Sequence, residues 1–440
     1  APEQFKQLKV LYDNNTLSGS FDNKPYFFDG AVGSYVVYNS SSEVSKAIIY
    51  LTARRGGDLI YALDVTNPLA PAIKWRKSSG DNGYSEMGQT WSKPTISKVK
   101  LGLSDKVVLI MGLGYDPEVD DGNSSARTQG RGVIVIDAET GADIWQVTSA
   151  SVSSPSGTVL SETAMSFSVP SDLAVVDRDG NGYSDRVYFG DTGGQLWRLD
   201  IGSTTLSDWR ATRLFKFSAS SIQRFLNAPD VVESPDGSYD MVIIGSGNRE
   251  KPVDTSVQNY MLFYRDYDQA GVSTATATLQ LSDLAKANTL SGDTLEFDPD
   301  QDIVADSKFI KGWYLPFETG EKVVNPALTA NETTTFATNV PSINSACSDL
   351  GEARIYKIDP FAVAGAAEGE KNYVEIEGGG FLPPPVGFTV MVDVESCDGD
   401  GNCSTEQKPI SGIMFGFHAE DTEGDPLGVR RKVWWYNQRD

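Results

Sequence analysis

Short runs rich in Val, Ile, Tyr and Phe alternate with Gly, Asp, Asn and Pro clusters along most of the chain. Such runs, four to eight residues long and bounded by turn-formers, predict strands. They stand at Ala47 to Leu51, Leu59 to Leu63, Lys106 to Met111, Val133 to Ile136, Val187 to Phe189, Met241 to Ile244 and Tyr260 to Tyr264. Helical periodicity is nearly absent, and Leu281 to Leu290 is one short candidate helix. Ser149 to Thr163 is Ser-rich and reads as an exposed loop. Gly378-Gly379-Gly380-Phe381-Leu382-Pro383-Pro384-Pro385 is barred from a central strand, because Pro lacks the donor and Gly lacks a side chain to pack.

A weak unit recurs within this pattern: an apolar strand, an Asp, a tight turn, then an aromatic. Tyr61-Ala62-Leu63-Asp64 leads to Trp75, Val135-Ile136-Asp137-Ala138-Glu139-Thr140-Gly141 to Trp145, and Leu196-Trp197-Arg198-Leu199-Asp200 to Trp209. Ile355-Tyr356-Lys357-Ile358-Asp359 extends the series. Four-stranded sheets repeated around an axis bury their faces against their neighbours and give such a series. The expected fold class is therefore all-β: a modified β-propeller of antiparallel strands, favoured over a β-sandwich, with loop insertions and a divergent C-terminal segment. The repeated Trp fits a blade-to-blade packing anchor or an ordinary core aromatic. The expected division places the propeller body at residues 1–377, and a linker with a divergent C-terminal segment, able to complete the last blade, at 378–440.

Chemistry concentrates in Asp177-Arg178-Asp179-Gly180-Asn181-Gly182-Tyr183-Ser184-Asp185, flanked by apolar runs. Oxygen donors recur at alternate positions, and Gly182 supplies the freedom to turn sharply around one point. Ca²⁺ is a hard cation that takes six to eight oxygens, and an EF-hand loop presents them with this alternation. The expected ligands are Asp177, Asp179, Asn181, the backbone carbonyl of Tyr183, and Asp185. The loop is an EF-hand-like turn without flanking helices; the other reading is an Asp/Gly hairpin turn without metal. A second acidic loop, Asp398-Gly399-Asp400-Gly401-Asn402, alternates correctly and has Glu406 beyond it, but Cys403 replaces the turn Gly. A solvated acidic loop is favoured there over a second metal site. Asp298, Asp300 and Asp302 also alternate, yet Pro299 and the missing Gly make them a charged turn.

Composition narrows the function classes. The 440 residues carry 37 basic and 60 acidic side chains, a net charge of −23. That charge repels nucleic acid and anionic membrane surfaces and favours divalent cations. No apolar run is long enough for a membrane helix. The start at Ala1-Pro2-Glu3, with no initiator Met or signal pattern, suggests a processed or cropped chain. Cys397 and Cys403 bracket the second acidic loop and can close a disulfide, which would point to an oxidising compartment; Cys347 has no sequence neighbour. Zinc is disfavoured because His418 is the sole histidine. Ser-hydrolase chemistry lacks its base and its G-x-S-x-G, and Gly112-Leu113-Gly114 lacks the third Gly of a dinucleotide fingerprint. Glycosidase chemistry is not decided by counting carboxylates. The chain is expected to be non-catalytic.

The ordered set of motifs resembles the C-terminal domain of PilC/PilY-type type IV pilus proteins. It runs from Tyr61-Ala62-Leu63-Asp64-Val65-Thr66-Asn67-Pro68 through Thr90-Trp91-Ser92-Lys93-Pro94 and Val135 to Gly141, then the acidic loop, then Gly190-Asp191-Thr192-Gly193-Gly194-Gln195-Leu196-Trp197. Gly245-Ser246-Gly247-Asn248-Arg249-Glu250, Lys311-Gly312-Trp313-Tyr314, Gly320-Glu321-Lys322-Val323-Val324 and Phe336-Ala337-Thr338 follow in order. The resemblance implies a propeller of about seven blades at the pilus tip or outer bacterial surface. It implies support of pilus assembly against retraction, adhesion to host or abiotic surfaces, and minor pilins or the pilus tip as partners. It also implies Ca²⁺ at Asp177, Asp179, Asn181, Tyr183 and Asp185, with occupancy linked to pilus extension and retraction. The family's earlier blade motif and variable N-terminal region are absent here, and the final eighty or so residues match poorly. The competing class is a propeller dehydrogenase of the quinoprotein type, which also binds Ca²⁺, although no quinone pocket is recognisable.

Overall fold

The computed structural model describes residues 8, 9, 12, 26–119, 128–150, 152, 157–218, 223–267, 277–289, 295–297, 307–342, 351–361, 373–376, 380–397, 403–415 and 418–421. The architecture is all-β, and the strands pair mainly with their sequence neighbours, as propeller blades do. Sheet one is β1 (Val32–Tyr38), β2 (Val44–Thr52), β3 (Leu59–Asp64) and β4 (Ala72–Ser78), antiparallel in that order. Sheet two is β5 (Thr95–Leu101), β6 (Ser104–Gly112), β7 (Gly132–Asp137) and β8 (Asp143–Thr148), with β9 (Thr158–Ser161) added parallel to β8. Sheet three is β10 (Ala174–Val176), β11 (Arg186–Gly190), β12 (Gln195–Asp200) and β13 (Arg210–Lys216).

Sheet four begins with β14 (Asp230–Glu233), β15 (Asp240–Gly245) and β16 (Gln258–Asp266). It continues through β17 (Ala285–Thr289), β18 (Leu295–Phe297) and β19 (Gly312–Thr319), in the order β14-β15-β16-β19-β17-β18, and the short helix α1 (Ser307–Lys311) precedes β19. Sheet five joins β20 (Lys322–Val323), β22 (Thr333–Val340), β23 (Glu352–Ile358) and β24 (Tyr373–Ile376), with β21 (Leu328–Ala330) paired to β22. A last sheet holds β25 (Val386–Cys397), β26 (Cys403–Phe415) and β27 (His418–Asp421).

Each apolar run named above lies in a strand, but two other expectations are corrected. The candidate helix at Leu281 to Leu290 is not one over its described residues, 281–289: a 3-10 turn at Leu281–Asp283 leads into β17. Its buried positions alternate, Ala285 and Ala287 inward with Lys286 exposed, and β17 pairs with β19 through Ala285↔Trp313. Period two is the strand period, and partners on β19 supply what the short helix lacks. The Ser-rich stretch from Ser149 to Thr163 is not wholly loop either, because Thr158–Ser161 pairs with β8 and Leu160 packs on the core.

The chain divides into two compact units among the described residues. The first takes Ala1–Gly193 and Trp197–Arg213, the second Gly194–Leu196 and Leu214–Arg431. In the first unit, sheet two is buried on both faces. Val108, Ile110, Val133 and Val135 enter one core cluster with Val187, Phe189 and Trp197, while Leu109, Met111, Ile134 and Ile136 enter another with Tyr50, Ile60 and Trp75. Successive strand side chains point to opposite faces, so a doubly buried strand reads as an unbroken apolar run. In the second unit, Met241, Ile243, Met261 and Phe263 pack with Trp313, Leu315, Phe336 and Tyr356.

The recurring Asp and Trp now have physical roles. Asp64, Asp137 and Asp359 accept the amides of Thr66 (3.0 Å), Glu139 (3.1 Å) and Phe361 (2.8 Å), closing turns with the side chain. Trp75 of sheet one donates its indole to Ala138 O (3.0 Å), just beyond β7 of sheet two, and packs on Gly141. Trp145 of β8 meets Trp209, next to β13, edge-on at 5.6 Å. These two Trp residues join neighbouring sheets, so they act as blade anchors within the first unit. Residues 380–385 form no strand, and Asn325 holds the carbonyls of Leu382 (3.4 Å) and Pro383 (3.1 Å).

Candidate metal site

The acidic loop is the hairpin connection of sheet three, since β10 and β11 pair antiparallel with Val176 opposite Arg186. Those flanking strands are wholly buried, so the loop starts and ends on fixed points. Within it the acidic side chains organise the backbone. Asp177 accepts the amides of Asn181 (3.1 Å) and Gly182 (2.8 Å), Asp179 accepts the Asn181 amide (3.1 Å), and Asn181 Oδ1 accepts the Tyr183 amide (2.8 Å). Gly180 (φ +70°) and Gly182 (φ +89°) take the left-handed conformations that turn the chain.

The outcome is a cluster of Asp177, Asp179 and Asp185, whose carboxylate oxygens lie within 4.8 Å of one another. Asp177 is buried, Asp179 exposed, and Asp185 between the two. Asp185 Oδ2 accepts the Arg178 amide (3.0 Å), whereas Oδ1 is buried with no hydrogen-bond partner. Burial pushes the Asp185 carboxyl up to about 6, and the Asp179 charge adds to the push; the Arg178 amide and Arg186 act the other way. A buried oxygen without a partner, on a carboxyl clustered with two others, suits a hard divalent cation, which prefers oxygen ligands. The cluster could hold a metal ion.

Of the expected ligands, the structure brings the three aspartates together. Asn181 and Tyr183 lie on the same turn, with Asn181 Nδ2 donating to Asp179 Oδ2 (2.8 Å). Sequence reading missed the residues that fasten the turn from outside. The Tyr183 hydroxyl donates to Asp105 Oδ1 (2.9 Å), the Ser184 amide to Lys98 O (2.8 Å), and the Ser97 and Ser184 hydroxyls bond to each other. No local signal marks Ser97, Lys98 or Asp105, because their partners are remote in sequence. In the last sheet, Cys397 and Cys403 are opposite each other in register, and Glu406 and His418 lie in strands. Residues 398–402 and 298–302, Cys347 and the terminal segment fall outside the described residues.

The fold and site together define an all-β protein of propeller blades carrying an acidic hairpin loop suited to a cation. Comparison with known proteins is more specific. Residues 3–214 match the family model described as the PilY1 beta-propeller domain. The chain is 24% identical over 361 residues to the type IV pilus biogenesis factor PilY1 of Pseudomonas aeruginosa, covering 70% of this chain and 28% of that protein. It is 25% identical over 388 residues to a PilY1 homolog of Xylella fastidiosa, covering 82% of this chain and 25% of the relative. The crystal structure of the Pseudomonas aeruginosa PilY1 C-terminal domain aligns with a TM-score of 0.60 and 19% identity, over 90% of this chain and 85% of that one. Over residues 3–214 the chain is thus similar in sequence to the PilY1 β-propeller domain, and its fold resembles that of the PilY1 C-terminal domain, as the ordered motifs lead one to expect. It spans 28% or less of the length of those two curated relatives.

Proposed function

We propose that this chain is a calcium-binding, non-catalytic propeller region of a type IV pilus-associated surface protein. In this reading the propeller supports pilus assembly against retraction and contributes to adhesion, outside the cell at the pilus tip or outer surface. Its partners are minor pilins or the pilus tip, and host or abiotic surfaces. Residues 1–377 form the body, with 378–440 as linker and divergent end. The observation that carries the metal assignment is the partnerless, buried Asp185 Oδ1 beside Asp177 and Asp179. The relatives' names, as pilus biogenesis factors, carry the cellular role.

Asp177, Asp179 and Asp185 would hold Ca²⁺, with the Asn181 side chain and Tyr183 carbonyl completing the set. Bound calcium offsets the mutual repulsion of the three carboxylates and fixes the hairpin. A ligand that binds only the folded form stabilises it by about 2.7 kcal/mol at a hundredfold excess over Kd. Extracellular modules of this chemistry work at Kd values of roughly 10⁻⁴ to 10⁻³ M. Calorimetric titration of the Asp179→Ala/Asp185→Ala variant tests the assignment: calcium uptake disappears while the circular dichroism of the sheets is kept. Unchanged uptake would reject it. In cells, the same variant should alter pilus number and retraction.

A further inference from the structure

We infer that Asp105, on the β5–β6 hairpin, is a positioning residue for the calcium loop, acting through the hydroxyl of Tyr183. This rests on the calcium reading above. Residues 179–182 are exposed, and two of the four are glycines, so the middle of the loop has little packing to hold it. Its second half is gripped by one neighbouring hairpin. Tyr183 reaches Asp105 Oδ1 (2.9 Å), and its ring lies 5.5 Å from Lys100 Nζ. Lys100 and Asp105 are themselves opposite each other in the β5–β6 register. Next along the loop, the Ser184 amide donates to Lys98 O (2.8 Å) and its hydroxyl bonds to Ser97.

The consequence is geometric. Asp185 directly follows Ser184, so the residue with the orphaned oxygen leaves a segment pinned at two successive positions. Tyr183 is also the residue whose carbonyl is proposed as a ligand, and its side chain fixes the peptide that carries that carbonyl. Groups behind the ligands raise metal affinity by holding them in place before binding, so that less ordering is left to do when the ion arrives. By reciprocity, an ion in the loop tightens the attachment of the β5–β6 hairpin.

The test is a double-mutant cycle on the 440-residue chain, with calcium alone as the titrant. Tyr183→Phe keeps the backbone carbonyl and the ring but removes the hydroxyl, and Asp105→Ala removes the carboxylate that accepts it. Each change should weaken calcium binding by about tenfold, the low end for residues behind a metal ligand. The double variant should be no weaker than the single ones, because both remove one bond. Thermal unfolding in chelator should be little changed, which separates positioning from a general loss of fold. Calcium uptake by the unaltered chain, with equal affinity in both variants, overturns the role of Asp105 alone. Multiplicative losses in the double variant overturn it as well. No uptake by the unaltered chain removes the calcium reading itself, and this inference with it.

Discussion

Gly202 backs Asp185 so closely that a β-carbon added to it would stand 2.8 Å from the Asp185 β-carbon. The adjacent Ile201 amide donates to the Asp185 carbonyl (2.8 Å), so the backbone of this aspartate is tethered on the same side. Gly202→Ala must therefore shift Asp185 or its own chain. Overpacking of this kind costs about 1 kcal/mol or more. The expected outcome is a lower unfolding midpoint in chelator together with weaker calcium uptake. Thermal melts paired with calorimetry check both, and an unchanged affinity would show that the cluster tolerates the displacement.

The two loop glycines make a contrast within one turn. Neither would clash on gaining a β-carbon, since nothing lies within 4 Å, so only backbone conformation discriminates between substitutions. Gly180 at φ +70° is in the range that Asn adopts readily, whereas a β-branched residue at Gly182, φ +89°, is strained. Gly180→Asn should leave calcium affinity and stability close to those of the parent. Gly182→Val should destabilise the metal-free hairpin by about 1–2 kcal/mol and weaken binding. Chemical denaturation and calcium titration of the two variants decide this.

How far these features could be read in advance follows the range of the forces involved. The loop from Asp177 to Asp185 is legible because its donors, its glycines and its flanking strands all lie within a few residues. Strands such as β6 and β7 are legible because burial on both faces writes an unbroken apolar run. β17 is misread because its apolar positions are few, and its strand partners on β19 come later in the chain. β9 is missed because Thr158–Ser161 is held by a parallel partner rather than by a hairpin turn. Asp105 is invisible for the same reason: its link to Tyr183 exists only after sheets two and three are built.

Glu321 and Arg354 form a buried pair in the second unit that should be sensitive to one-sided change. Glu321 is fully buried; its Oε1 accepts from Thr338 Oγ1 (2.6 Å) and the Tyr356 hydroxyl (2.8 Å), and its Oε2 from Arg354 Nη1 (2.9 Å). Burial raises the Glu321 carboxyl above the usual carboxylate range, with these partners acting against it. Arg354→Met leaves the carboxylate without its cation, a loss of about 3–5 kcal/mol for a buried pair. Tyr356→Phe removes one of three donors and should cost about 1.5 kcal/mol, the lower end for a hydrogen bond to a charged group. Urea unfolding of the two variants should rank them in that order. A replacement of the whole pair by apolar residues should recover much of the Arg354→Met loss, since no buried charge then remains.

Asp236 gives a pH dependence whose sign is fixed by its turn. Its Oδ1 accepts the hydroxyls of Ser234 (2.7 Å) and Ser238 (2.7 Å) and the Ser238 amide (3.0 Å) between β14 and β15. The Ser238 hydroxyl, then the Ser234 hydroxyl and the Ser238 amide, hold its carboxyl down at about 2. In the unfolded chain an aspartate titrates near about 4. Because the folded value is the lower one, the stabilisation from ionised Asp236 is complete above the unfolded value. It is lost as pH falls from about 4 through about 2, where the unfolded chain takes up its proton first. Carboxyl chemical shifts should give a midpoint near 2, and the Ser234→Ala/Ser238→Ala variant should return it to the ordinary range. Asp236→Asn should be less stable than the parent at neutral pH, with the gap closing toward pH 2; a gap that stays constant with pH would show that the three hydrogen bonds do not favour the charged form.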